Sequence, residues 1–173
     1  MTTLRRGIAA VGGALAAAVA LAACSGSSEA NAPSASESEE PSTPTCESIL
    51  RPSFVDELTE LGWAAQERPF QIGEHEVPGG VQCVWGDLTN GTDLAQMYGW
   101  APVDAESSAE LQDYLEENGW VREEGDHYVY LTEDPSLIGY LEAGEYGITY
   151  QFADGWVALA DTKSGLDLVT WRG

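Results

Sequence analysis

Hydrophobic and polar positions along the chain divide it into an apolar leader, a polar stretch and a patterned body. Gly7 to Ala20 is a continuous run of small and apolar residues behind Arg5 and Arg6. From Ser25 to Thr45 no aromatic side chain and no aliphatic larger than alanine occurs, so this stretch cannot bury enough surface to offset the entropy of ordering. From Cys46 onward the pattern becomes periodic. Phe54, Leu58 and Leu61 recur at helical spacing behind Ser53-Phe54-Val55-Asp56, which has the form of a capping box, and Gly62 is a natural stop. A second helix is predicted over 105–118, with Asp104 as its cap, Leu111, Tyr114 and Leu115 as its apolar stripe and Gly119 as its stop. Both helices end in Gly-Trp.

Between and after the helices the period is two. Val81, Cys83 and Trp85 alternate with Gln82, Val84 and Gly86, and a strand over 94–101 returns after Asn90-Gly91. Residues 120–123 and 127–131 flank Glu124-Gly125-Asp126 as a second hairpin, and 147–152 with 156–160 flank Asp154-Gly155 as a third. The tail 166–171 fits a strand or a short helix equally. Helices separated by antiparallel hairpins predict an α+β domain: an antiparallel sheet with two helices packed on one face. Helix, Gly-Trp and hairpins recur over 46–101 and 105–171, so a diverged α-β-β duplication is one reading of the order.

The leader has a cationic start, an apolar run too short for a comfortable membrane span, and small residues before Cys24. Leu21-Ala22-Ala23-Cys24 resembles a bacterial lipoprotein lipobox. That resemblance implies a signal peptide over 1–23, a diacylglycerol thioether on Cys24, and a polar tether over 24–45. The chain would sit on the outer face of the cell membrane, held by its lipid. With the tether, the cysteine pair and the Trp-rich strands, including Asp154-Gly155-Trp156-Val157, the chain resembles small cysteine-paired lipoproteins of unknown function from high-GC Gram-positive bacteria. Such proteins lend it no activity. In the oxidising compartment this implies, Cys46 and Cys83 remain as an even pair and are expected to form a disulfide worth about 4 kcal/mol by loop closure. A metal-thiolate site lacks any CxxC or neighbouring histidine.

Composition then narrows the partners. Loss of Arg5 and Arg6 with the leader takes the 7 basic residues to five against 29 acidic ones, a formal charge of about −24. Nucleic acid and anionic headgroups would need basic clusters that are not there. No nucleophile elbow or free thiol points to catalysis, His75 and His127 stand in unrelated segments, and no cofactor motif occurs. Glu116-Glu117 and Glu123-Glu124 read as solvated faces, although a wall hydrolase working through two carboxylates is an alternative that counting alone does not exclude. The loop from Asp87 to Asp93 offers oxygen ligands without EF-hand spacing, and no metal site is expected. The aromatic enrichment is the feature that speaks of recognition. By period two, Tyr98 shares one strand face with Trp100, and Tyr128 with Tyr130, so an open aromatic face for a glycan or an envelope protein is expected there. The expected class is a non-catalytic binding module of the cell envelope, the remaining alternative being a structural or regulatory subunit of an envelope complex.

Overall fold

The computed structural model describes residues 43–90, 94–134 and 147–173. The leader, Cys24 and the tether through Ser42 lie outside the described residues, as does the turn glycine Gly91. The elements run α1 (Pro52–Glu60), β1 (Ala64–Ile72), β2 (His75–Gly86), β3 (Ala95–Pro102), α2 (Ala105–Glu117), β4 (Val121–Glu124), β5 (Val129–Thr132), β6 (Thr149–Ala153), β7 (Trp156–Ala160) and a 3-10 helix (Lys163–Leu168). The strands form one sheet in the order β1-β2-β3-β7-β6-β5-β4, antiparallel throughout. An α+β domain with an antiparallel sheet is therefore observed, and all three expected hairpins are present.

The helices, expected on one face, lie on opposite faces. Leu58 of α1 packs with Cys83, Tyr98, Trp100 and Ala158, whereas Leu111 and Leu115 of α2 pack with Leu131, Phe152, Val157 and Leu159. The reason is in the central strands: every residue of β7 is buried, with Trp156, Ala158 and Ala160 on one face and Val157 and Leu159 on the other. A sheet apolar on both sides needs cover on both. On the α1 face the 3-10 helix and the chain end complete the cover through Leu166 and Val169. The order of strands is that of a two-fold rotation about β7: β1 corresponds to β4, β2 to β5 and β3 to β6, and the rotation exchanges the two faces and their helices.

Both helices stop by the same device. Gly62 and Gly119 take φ values of 78° and 85°, and the following tryptophan N–H donates back to a leucine carbonyl, Trp63 to Leu58 and Trp120 to Leu115, each at 3.0 Å. Their starts differ. Asp104 caps α2 by accepting from the Ser107 N–H at 2.8 Å, as the sequence predicts. The α1 capping box does not form, because the helix starts two residues earlier at Pro52, which needs no N–H partner, and Arg51 holds the cap position with no side-chain capping bond.

Cys46 and Cys83 form the expected disulfide, their Cα atoms 5.5 Å apart. It anchors the buried turn ahead of α1 to β2. That turn also holds the end of the chain: Leu50 bridges Val169, and the Ile49 carbonyl accepts from the Thr170 N–H at 2.8 Å.

Candidate functional site

The expected aromatic face exists as a common face but not as an open one. Register places Tyr98 and Trp100 on the α1 face, opposite Cys83 and Val81, and Tyr130 on that same face opposite Gln151. Tyr98 and Trp100, however, are only 4% exposed. Phe54 of α1 meets the Tyr98 ring edge-on at 5.7 Å, and Trp171 meets Trp100 at 6.2 Å, so the helix and the chain end cover them. Burial, with the nearby Asp161 charge, pushes the Tyr98 phenol up to about 12, and its hydroxyl donates to Gln96 Oε1 at 3.1 Å. These two are core residues. Tyr128 and Tyr130 are half-buried and pack on each other, with Tyr128 also against Trp156. Lys163 Nζ stands 4.3 Å over the Tyr130 ring and the Arg172 guanidinium 4.3 Å over Trp156, so the chain's own cations cover one face of each ring.

The surface with the shape of a site lies across the sheet, beside α2. The β1–β2 hairpin turns at Gly73, where φ is 60° and a Cβ would overlap the Tyr114 ring. A bulge between Pro69 and Gln71 bends the edge strand, and the missing Cβ atoms of Gly80 and Gly99 make room for Phe70 to lie across β2 and β3. This carries the hairpin tip over the α2 face, where His75 meets the Tyr114 ring edge-on at 4.6 Å. A groove of about 710 Å³ opens between the hairpin, the end of β3 and α2. Its apolar lining is Val77, Pro78, Pro102, Val103, Leu111 and Tyr114. Along its rim stand the carboxylates of Glu76, Asp104, Glu110, Asp113 and Glu117, all exposed, and among the described residues no Lys or Arg lines it.

The groove's rim is formally negative. The Ser107 N–H, aided by the Ser107 hydroxyl, holds Asp104 below the ordinary carboxylate range, so it is ionised at neutral pH. Among the described carboxyls burial raises Asp161, just past the end of β7, which accepts from the Met97 N–H at 2.7 Å and does not line the groove. Asp161 and Asp104 are not brought together in this groove. Among the described residues no group of three His, Cys, Asp or Glu side chains converges to hold a metal ion. In the 87–93 loop, Asp87 spends its oxygens on its own turn, accepting from Asn90 Nδ2 at 2.7 Å and from Thr89 Oγ1 at 2.7 Å, and these bonds lower its pKa to about 2.

The sequence sets His75 apart from His127 and places Leu111 and Tyr114 in a helix stripe, without joining the two. The signal that was present is the acidic file at Glu110, Asp113 and Glu117, spaced three and four residues apart to share one side of α2.

Fold and site together define an α+β protein with one seven-stranded antiparallel sheet covered on both faces and an acid-rimmed apolar groove beside α2. No family model, curated protein or solved structure matches the chain.

Proposed function

We propose that this chain is a lipoprotein of the bacterial envelope, acylated at Cys24, whose disulfide-stapled domain is a non-catalytic binding module held off the outer face of the membrane by the 24–45 tether. The observation that carries the binding role is the groove beside α2: among the described residues, a concave strip floored by Val77, Val103 and Leu111 between the β1–β2 hairpin and the helix. The address rests on the lipobox pattern and agrees with the Cys46–Cys83 bridge, since disulfides persist outside the cytosol.

Two measurements on the full chain test the two halves of this reading. Metabolic labelling with an alkyne palmitate in a bacterial host is expected to mark the membrane fraction, and Cys24→Ala is expected to abolish the label and release the protein; label retained by that variant overturns the anchor. A photo-crosslinking amino acid at Ser107 in the groove is expected to give a discrete adduct in intact cells, whereas the same probe at Ser164, remote from it, gives none. Equal patterns at the two positions would remove the groove as the binding surface.

A further inference from the structure

We infer that the groove beside α2 takes a cationic polypeptide segment, one in which Lys or Arg side chains alternate with apolar ones. This rests on the binding-module reading and supplies the class of its partner. Three observations lead there. The floor is apolar, with Val77, Val103 and Leu111 buried beneath it, so an occupant must offer apolar side chains to gain from docking. Among the described residues every Asp, Glu, Lys or Arg that lines the groove is acidic, so an occupant of the same sign is repelled and a neutral one leaves the field unanswered. The carboxylates are strung out rather than gathered: Asp104 to Glu117 spans about 20 Å of helix at 1.5 Å per residue, and among the described residues no three acids converge on a point. Charges spread in this way match several separated cations on a chain better than one metal ion. An extended segment of about six residues covers that length, and its alternation puts apolar side chains toward the floor and cationic ones toward the rim.

The chain cannot supply this occupant itself. Outside the described residues its only basic side chains are Arg5 and Arg6, ahead of the cleavage point. The tether carries Glu29, Glu37, Glu39 and Glu40, and residues 135–146 carry glutamates and no Lys or Arg. The five basic residues of the mature chain are engaged elsewhere: Arg122 pairs with Glu124, Lys163 with Glu123, Arg51 and Arg172 reach backbone carbonyls, and Arg68 bonds Gln66. A second copy brings the same negative charge. The partner is a different, basic polypeptide.

The acylated chain in nanodiscs of zwitterionic lipid, titrated into a fluorescent eight-residue peptide of alternating Lys and Leu, tests this by anisotropy, with empty nanodiscs subtracted. Saturable binding is expected, weakening about ten-fold when Glu110→Gln, Asp113→Asn and Glu117→Gln are combined, and weakening with salt. The triple exchange Glu47→Gln, Glu57→Gln and Glu60→Gln makes the same change of net charge away from the groove and is expected to leave affinity within two-fold. Both triples alter exposed side chains only. An alternating Lys and Ser peptide, a Glu and Leu peptide, spermidine and calcium are each expected to bind at least ten-fold more weakly. Equal losses from the two triples, or a Lys and Ser peptide binding as tightly, would overturn the inference. If no basic peptide binds while Ser107 still captures an adduct in cells, the binding module stands and its partner class is wrong; if Ser107 captures nothing, the module reading itself falls.

Discussion

Asp161, partly buried just past β7, gives the fold a pH signature. Burial raises its pKa, and the Met97 N–H only partly offsets this. A carboxyl that holds its proton more tightly when folded stabilises the fold at low pH; stability falls as pH rises from the ordinary carboxylate range through the raised folded value. Above that window the ionised group is a standing cost. Asp161→Asn keeps an oxygen for Met97 and removes the charge, so at pH 7 it is expected to raise Tm by about 1–3 °C, the gain disappearing near pH 3. A variant less stable than the parent at pH 7, by calorimetry, would refute the assignment. At this scale the sequence was informative about pairing and uninformative about cover. Period two sets Tyr98 with Trp100 and Tyr128 with Tyr130, and the register agrees. Nothing local says that Phe54 and Trp171, from opposite ends of the domain, close over the first pair.

Among the elements, the two helices are a matched contrast. Their ends are alike, and the Gly-Trp signal was readable because a left-handed residue is a local requirement that glycine meets. Their beginnings are not. Ser53 sits inside α1 with no capping bond, while Asp104 accepts the Ser107 N–H. Asp104→Ala is therefore expected to lower Tm by about 2–5 °C and Ser53→Ala to leave it unchanged within a degree, by thermal unfolding at neutral pH. The reverse order would restore the capping box over 53–56. That misreading has a physical cause: Ser-x-x-Asp is compatible with a cap, but Pro at the first helical position starts a helix equally well and wins here. The same competition hid most of β1, where Gln66, Glu67, Arg68 and Pro69 give an edge strand too polar to show a two-residue period.

At the scale of the whole molecule, the pairing of β3 with β7 decides the architecture, joining an N-terminal meander of three strands to a C-terminal one of four. Local pattern cannot announce a pairing between strands so far apart in the chain. It could have announced two covered faces, since Trp156-Val157-Ala158-Leu159-Ala160 is apolar at every position and an alternating strand would not be. The groove follows from the same topology, for it forms where an edge hairpin bent by its bulge meets a helix from the other half of the chain. One covalent link spans this arrangement on the opposite face. The disulfide fixes the 46–50 turn to β2, and that turn holds the chain end through Leu50, Ile49 and Val169, so one bond secures both termini of the domain over Trp100. Breaking it frees a long loop in the unfolded chain and loosens the cover in the folded one. Cys46→Ser with Cys83→Ser is expected to cost about 2–5 kcal/mol in urea unfolding. The parent in reductant should match the variant, and reductant should not change the variant further. Because the groove lies on the other face of the sheet, peptide affinity below the unfolding midpoint should be the same with and without the bridge. A stability unchanged by the double exchange would mean that packing of Ile49, Leu50 and Val169 alone closes the domain.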